Sequence, residues 1–151
     1  MATLRRLGPD DWEQFRAIRL ASLAESPDAF GSSLERERAF GEDDWRQRVS
    51  SAVFVVDDPD PVAVGGLFDD DGIGRVWGMW TDPGHRGRGH ARRILDAVTP
   101  LMPQVQLHVN VGNAAARTAY ERYGFVGTGR FEPLRPGSEQ RMEQMVLRRE
   151  P

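Results

Sequence analysis

The amino-acid sequence predicts a mixed α/β fold. Three observations predict it. Segments with helical spacing alternate with strand-like segments along nearly the whole chain. A strand, a helix and a second strand follow one another at residues 75–110, the order of a βαβ unit. Turns rich in Asp, Pro and Gly punctuate the segments, with no repeat, linker or low-complexity stretch. The 151 residues suit one domain with one core, residues 1–151.

Residues 3–7 read as a short strand. Pro9-Asp10-Asp11 opens a helix, with proline and acids where a first turn favours them. Trp12, Phe15, Ile18 and Ser22 or Leu23 continue it at helical spacing until Ser26-Pro27 breaks it. A second helical region is expected over 28–50, in two pieces around Phe40-Gly41-Glu42. Strands are expected at 53–56, 62–68 and 74–81, separated by Asp57–Pro61 and by the Asp69-Asp70-Asp71-Gly72 turn. Ala91, Ile94, Leu95, Val98 and Leu101 keep helical spacing, and Pro100 and Pro103 end that helix. Val105, Leu107 and Val109 alternate with polar residues, the period of a strand. Asn113 reads as the N-cap of a helix to Tyr123, with Gly124 as its C-terminal cap. Strands at 125–130 and 143–148 complete the chain.

Composition excludes several classes of function. The net charge of −3 argues against a nucleic-acid binder. No apolar run approaches the roughly 20 residues that span a membrane. The N-terminus lacks a signal-peptide pattern, so a cytoplasmic location is expected. The chain has no cysteine, which removes disulfides, thiolate metal sites and a cysteine nucleophile. It has no lysine, which removes Schiff-base chemistry and a P-loop lysine. His85, His90 and His108 lack ligand spacing, so no metal is expected.

The stretch Arg86-Gly87-Arg88-Gly89-His90-Ala91-Arg92-Arg93 carries the most chemistry. It lies between a strand and a helix, where the helix's first amide N–H groups lack intrahelical partners and the dipole adds positive charge. Glycines admit a phosphate close to the backbone, and arginines supply charge-assisted hydrogen bonds. A phosphate-bearing ligand is therefore expected here. Downstream, Asn113 and Tyr120 lie seven residues apart, nearly two helical turns, and so share one helix face.

Both clusters resemble the GNAT-type N-acetyltransferase superfamily. Arg86, Gly89 and Ala91 match its acetyl-CoA motif, Gln/Arg-x-x-Gly-x-Gly/Ala. The Asn-led helix ending in Tyr120-Glu121 and then Gly124-Phe125 matches its other characteristic segment. The resemblance implies a central mixed, mostly antiparallel sheet of about seven strands flanked by about four helices, with two splayed strands forming the acetyl-CoA cleft. Backbone amides of Arg86, Gly87, Arg88, Gly89, His90, Ala91 and Arg92 would cradle the CoA diphosphate. Met79, Trp80 and Thr81 would bind the pantetheine arm as an added strand. Asn113 would contact the CoA arm, and Tyr120 would protonate the leaving thiolate. The implied reaction is direct attack of a primary amine on the acetyl thioester within a ternary complex. The acceptor would be a small-molecule or peptide amine. Homodimers are common in the family, and neither a nucleic acid nor a membrane partner is implied.

One position departs from the pattern. Many members carry a glutamate base on the strand before the motif, and Arg75 stands there here. Glu35 and Glu37 are alternative carboxylates near the acceptor wall, with Phe30 and Trp77 as candidate acceptor contacts. The missing carboxylate also leaves open a rival function, a non-catalytic acyl-CoA-binding sensor.

Overall fold

A computed structural model describes residues 2–149. Its elements are β1 (Thr3–Leu7), α1 (Trp12–Glu25), α2 (Leu34–Arg38), α3 (Glu42–Val49), β2 (Ala52–Asp57), β3 (Pro61–Asp70), β4 (Ile73–Thr81), α4 (His90–Val98), β5 (Val105–Asn110), α5 (Ala114–Tyr123), β6 (Phe125–Pro133) and β7 (Arg141–Leu147). The described strands form one seven-stranded sheet in the order β1-β2-β3-β4-β5-β7-β6. Every neighbouring pair is antiparallel except β4 and β5, which run parallel on either side of α4. This is the mixed, mostly antiparallel architecture expected from the sequence.

The helical region expected at 28–50 forms α-helix in two pieces parted at Phe40-Gly41, as expected, but its first piece starts later than position 28. Pro27–Ala29 forms a 3-10 turn, and α-helix begins only at Leu34. The reason is capping. Ser33 is extended and its hydroxyl accepts from the Arg36 amide at 3.2 Å. Gly41 restarts the chain, with the Asp44 carboxylate accepting its N–H at 2.9 Å. Two capped starts in ten residues leave no room for one continuous helix. The last two strands are longer than expected, because β6 continues beyond a register shift between Gly127 and Phe131.

Both sheet faces carry apolar clusters. On one face α1 and α3 bury Phe15, Ile18, Trp45 and Val49 against Leu7, Val53, Val55 and Val64. Trp45 is fully buried, meeting Phe15 edge-on at 5.8 Å and Phe40 at 5.6 Å. Such pairs add about 0.5–1.5 kcal/mol each beyond their burial. On the other face α4 supplies Leu95 and Val98, which pack with Val76, Val105, Leu107, Val109, Phe125 and Met145. Within β5 the alternation is clean, so Gln106 and His108 face away from that core.

The Asn113 cap forms as the sequence predicts. Its Oδ1 accepts from the Ala116 amide at 3.2 Å. Asn113→Ala should cost about 1 kcal/mol. Thermal melting should register that as a fall of about 2–4 °C.

Candidate functional site: a cleft between parting strands

β4 and β5 pair at only two positions, Gly74 with Val105 and Arg75 with Gln106. Beyond these the strands part, and the cause is local. Between the Gly66–Trp77 and Val64–Trp80 pairs, β3 contributes one residue and β4 contributes two. That extra residue is a β-bulge, which bends a strand and sharpens its twist. Gly78, within the bulge, has φ +67°, a conformation open to glycine at little cost.

The parting opens into a cavity of about 780 Å³, within the roughly 300–1,000 Å³ range of ligand pockets. Met79, Trp80 and Thr81 form its β4 wall. Arg86, Gly87, Gly89, His90, Ala91 and Arg92 line the end at the start of α4. Asn113 and Tyr120 line it from α5, with Ala116 and Tyr123 on the same helix face. The cavity thus gathers eleven of the residues that the sequence nominates.

The phosphate end is built for close approach. Gly89 is the N-cap of α4 at φ +80°, and Arg93 N donates to its carbonyl at 3.1 Å. Open space extends 4 Å around a Cβ built at Gly87 or Gly89. An anion can therefore reach the free amides of the first helical turn. His90 is only 4 % exposed, and neither of its ring nitrogens has a hydrogen-bond partner among the described residues.

Glu25, at the end of α1, is a rim residue that sequence reasoning missed. Its Oε1 accepts from Trp80 Nε1 at 2.9 Å and from Arg86 Nη2 at 2.7 Å. Arg86 Nε also donates to the Thr81 carbonyl at 2.9 Å. Donors from Ser26, Trp80 and Arg86 hold the Glu25 carboxyl below its ordinary range. In sequence Glu25 looks like any polar residue at a helix end. No local signal marks contacts that span 55 and 61 residues.

Tyr120 is half-buried in the cavity wall, edge-on to Phe125 at 5.8 Å. Desolvation pushes its phenol up to about 12, and no hydrogen bond from the described residues offsets it. Tyr123 differs: its hydroxyl donates to Asp96 at 2.7 Å and lies 3.2 Å from Thr99 Oγ1.

Five nominated residues lie outside the cavity lining. Arg88 turns to Asp58, at 3.7 Å. Trp77 packs edge-on against Phe15 at 5.8 Å, on the α1 side of the sheet. Phe30 is buried with the Arg19 guanidinium 4.7 Å above its ring. Glu35 is exposed on α2. Glu37, the other carboxylate considered as a base, is fully buried. Its Oε1 accepts from Arg19 at 2.9 Å and from Arg48 at 2.6 Å. Burial opposes its ionisation, but these hydrogen bonds outweigh that and lower its pKa to about 2. A carboxylate held so firmly cannot serve as a base near neutrality. Arg75, at the usual base position, is tied to Asp70 and lies 3.4 Å from Gln106 Oε1.

Comparison with known proteins agrees with this geometry. The chain is 28 % identical over 132 residues to mycothiol acetyltransferase of Beutenbergia cavernae. That match takes in 81 % of this chain and 44 % of the relative, so the chain spans less than half of the curated protein it resembles. An acetyltransferase from Salmonella typhimurium, solved with its cofactor acetyl-CoA, superposes with a TM-score of 0.78 at 16 % identity. That superposition covers 100 % of this chain and 95 % of the other. Spermidine N-acetyltransferase from Vibrio cholerae, in complex with CoA and spermine, gives 0.71 at 22 % identity, covering 97 % and 94 %. At these identities the structural likeness is one of fold. The family model described as "Acetyltransferase (GNAT) family" matches residues 12–125, from the start of α1 to the start of β6. The chain belongs to the GNAT acetyltransferase family.

Proposed function

We propose that residues 1–151 act as one N-acetyltransferase domain, passing the acetyl group of acetyl-CoA to a primary amine. The observation that carries this reading is the continuous cavity from the Gly87–Gly89 turn, past Met79–Thr81, to Tyr120. It offers anion-binding amides at one end and a protonated phenol at the other. A pantetheine arm fits between as a strand added to the free β4 edge. The residues present therefore suit acetyl-CoA as the donor.

In this reading the acceptor nitrogen attacks the acetyl carbonyl directly, since this chain has no cysteine to carry an acetyl group. Backbone N–H groups of the Met79–Thr81 segment face the developing oxyanion. Tyr120 gives its proton to the departing thiolate. With its phenol held near 12, it remains protonated throughout the physiological range. Tyr120→Phe should lower kcat by about a hundredfold while the dissociation constant for CoA stays within about twofold. Steady-state kinetics with CoA titration calorimetry check this, and an unchanged kcat removes Tyr120 from the acid role.

The acceptor is a small-molecule or peptide amine, and the reaction belongs in the cytoplasm, where acetyl-CoA is at hand. No described helix is long and apolar enough to cross a membrane. Thiol release from acetyl-CoA, assayed with spermidine, glucosamine and a peptide bearing a free N-terminus, tests the transfer itself. The tethering of Arg75 at the usual base position favours one second reading, an acyl-CoA-binding sensor. Tight acetyl-CoA binding without thiol release on any amine would select it.

A further inference from the structure

We propose that His108 is the base that deprotonates the acceptor ammonium, positioned by Glu132. This inference rests on the transferase reading above.

The transfer needs a neutral amine nitrogen, and β4 carries no carboxylate between Ile73 and Thr81. β5 is the other wall of the gap. Its last residue paired with β4 is Gln106, against Arg75. His108 lies two residues further on, where β5 keeps its ladder to β7 through the His108–Gln144 pair but no longer meets β4. Successive strand residues alternate faces. Leu107 and Val109 point into the α4–α5 core, so His108 shares the opposite face with Gln106. The donor cavity is lined from the α4–α5 side by Leu95, Ala116 and Tyr120. An amine meeting a thioester in the gap from the other face of the sheet arrives beside His108.

The surroundings of this imidazole suit a base. Its side chain is 24 % exposed, and its Nε2 lies 3.2 Å from Glu132 Oε1 on β6. A carboxylate beside Nε2 fixes the proton there and leaves Nδ1 as the acceptor. The charged groups that face it are Glu132 and Arg75; from β7 the same face presents Gln144, whose Nε2 donates to Gln106 at 3.0 Å. Burial lowers the pKa of His108, Arg75 adds to that, and Glu132 opposes it. The net direction keeps the ring neutral at pH 7, where ammonium groups are charged and need a proton acceptor.

The step balances. An N–H bond of R–NH3+ breaks and an Nδ1–H bond forms. The freed lone pair makes the C–N bond as the C–S bond breaks, and Tyr120 protonates the thiolate. The amide nitrogen's surplus proton then restores the Tyr120 phenol. The imidazolium releases its proton to water, giving R–NHCOCH3, HS-CoA and H+ overall.

The test combines two readouts. Ring-carbon NMR of the ligand-free protein should show His108 titrating below the ordinary value of about 6.5, and lower still in Glu132→Gln. With whichever of spermidine, glucosamine or the free-N-terminus peptide releases thiol, His108→Gln should lose about a hundredfold in kcat at pH 7. Its KM for acetyl-CoA should hold within about twofold, and the acidic limb of the rate profile should disappear. Glu132→Gln should move that limb to lower pH while retaining most of kcat. A His108→Gln enzyme with its rate and acidic limb intact overturns the assignment and leaves the transfer standing. A wild-type ring that titrates above pH 7 overturns it without any variant. Wild-type protein that releases thiol with none of the three amines overturns the transferase reading, and this inference with it.

Discussion

Gly89→Glu should abolish the rise in melting temperature that acetyl-CoA produces in the wild-type protein. At a ligand concentration of one hundred dissociation constants that rise corresponds to about 2.7 kcal/mol. Two separable effects follow from the φ of +80° and from the open space above this residue. Any side chain in a left-handed conformation costs about 1–2 kcal/mol, so the ligand-free protein should already melt lower. The carboxylate then occupies the approach to the α4 amides with the charge of the ligand it replaces. Affinity should fall by at least about a hundredfold, which is close to 2.7 kcal/mol. Gly89→Ala separates the two: it should lower the melting temperature by a similar amount and keep much of the ligand-induced rise. An undiminished rise in Gly89→Glu would place the donor elsewhere.

Glu37→Gln should cost about 3–5 kcal/mol, the usual penalty for stranding buried charge. Its carboxylate joins α2 to Arg19 of α1 and Arg48 of α3. Arg48 lies within 6 Å of the rings of Phe15, Phe40, Trp45 and Trp77, and its burial lowers its pKa. Without the carboxylate, two guanidinium groups remain inside with no counter-charge. The wild-type pH dependence follows from the depressed pKa. The folded protein holds Glu37 near 2 and the unfolded chain near 4.5. Its contribution of about 3 kcal/mol is therefore fully present above pH 4.5 and is lost as pH falls towards 2. Urea unfolding between pH 2 and 7 should show this acid loss in the wild type. The loss should be much smaller in Glu37→Gln.

Features written in short-range pattern were legible in the sequence. The βαβ order around residues 75–110, the Asn113 cap and the apolar alternation of β5 depend on neighbours a few residues apart, and each forms where expected. The paired glycines and the Asn113–Tyr120 spacing likewise converge on one cavity. Long-range pairing was not legible. Leu34–Arg38 reads as a solvated charged stretch, yet it carries a fully buried acid, because its partners lie eighteen residues before and eleven after. Arg19 reads as a surface residue on α1 and is buried for the same reason. Trp77 is nominated from the sequence as an acceptor contact, on a strand that borders both cleft and core. The aromatic cluster around Phe15 decides for the core. Glu25 and His108 carried no motif at all. Their significance lies in Trp80, Arg86 and Glu132, which only the fold brings beside them.

The two-pair ladder between β4 and β5 also bears on how the molecule transmits force. With so short a seam, β1–β4 and β5–β7 are two plates held along one side by a narrow strip of backbone and by α4 beneath it. A ligand that bridges the open edges would rivet the plates together. Amide exchange at Leu107–Asn110 and Met79–Thr81 should then slow together on acetyl-CoA binding. The stiffening should extend into β7, which is paired with β5 from Gln106 to Asn110, while β1 at the far margin keeps its ligand-free rate.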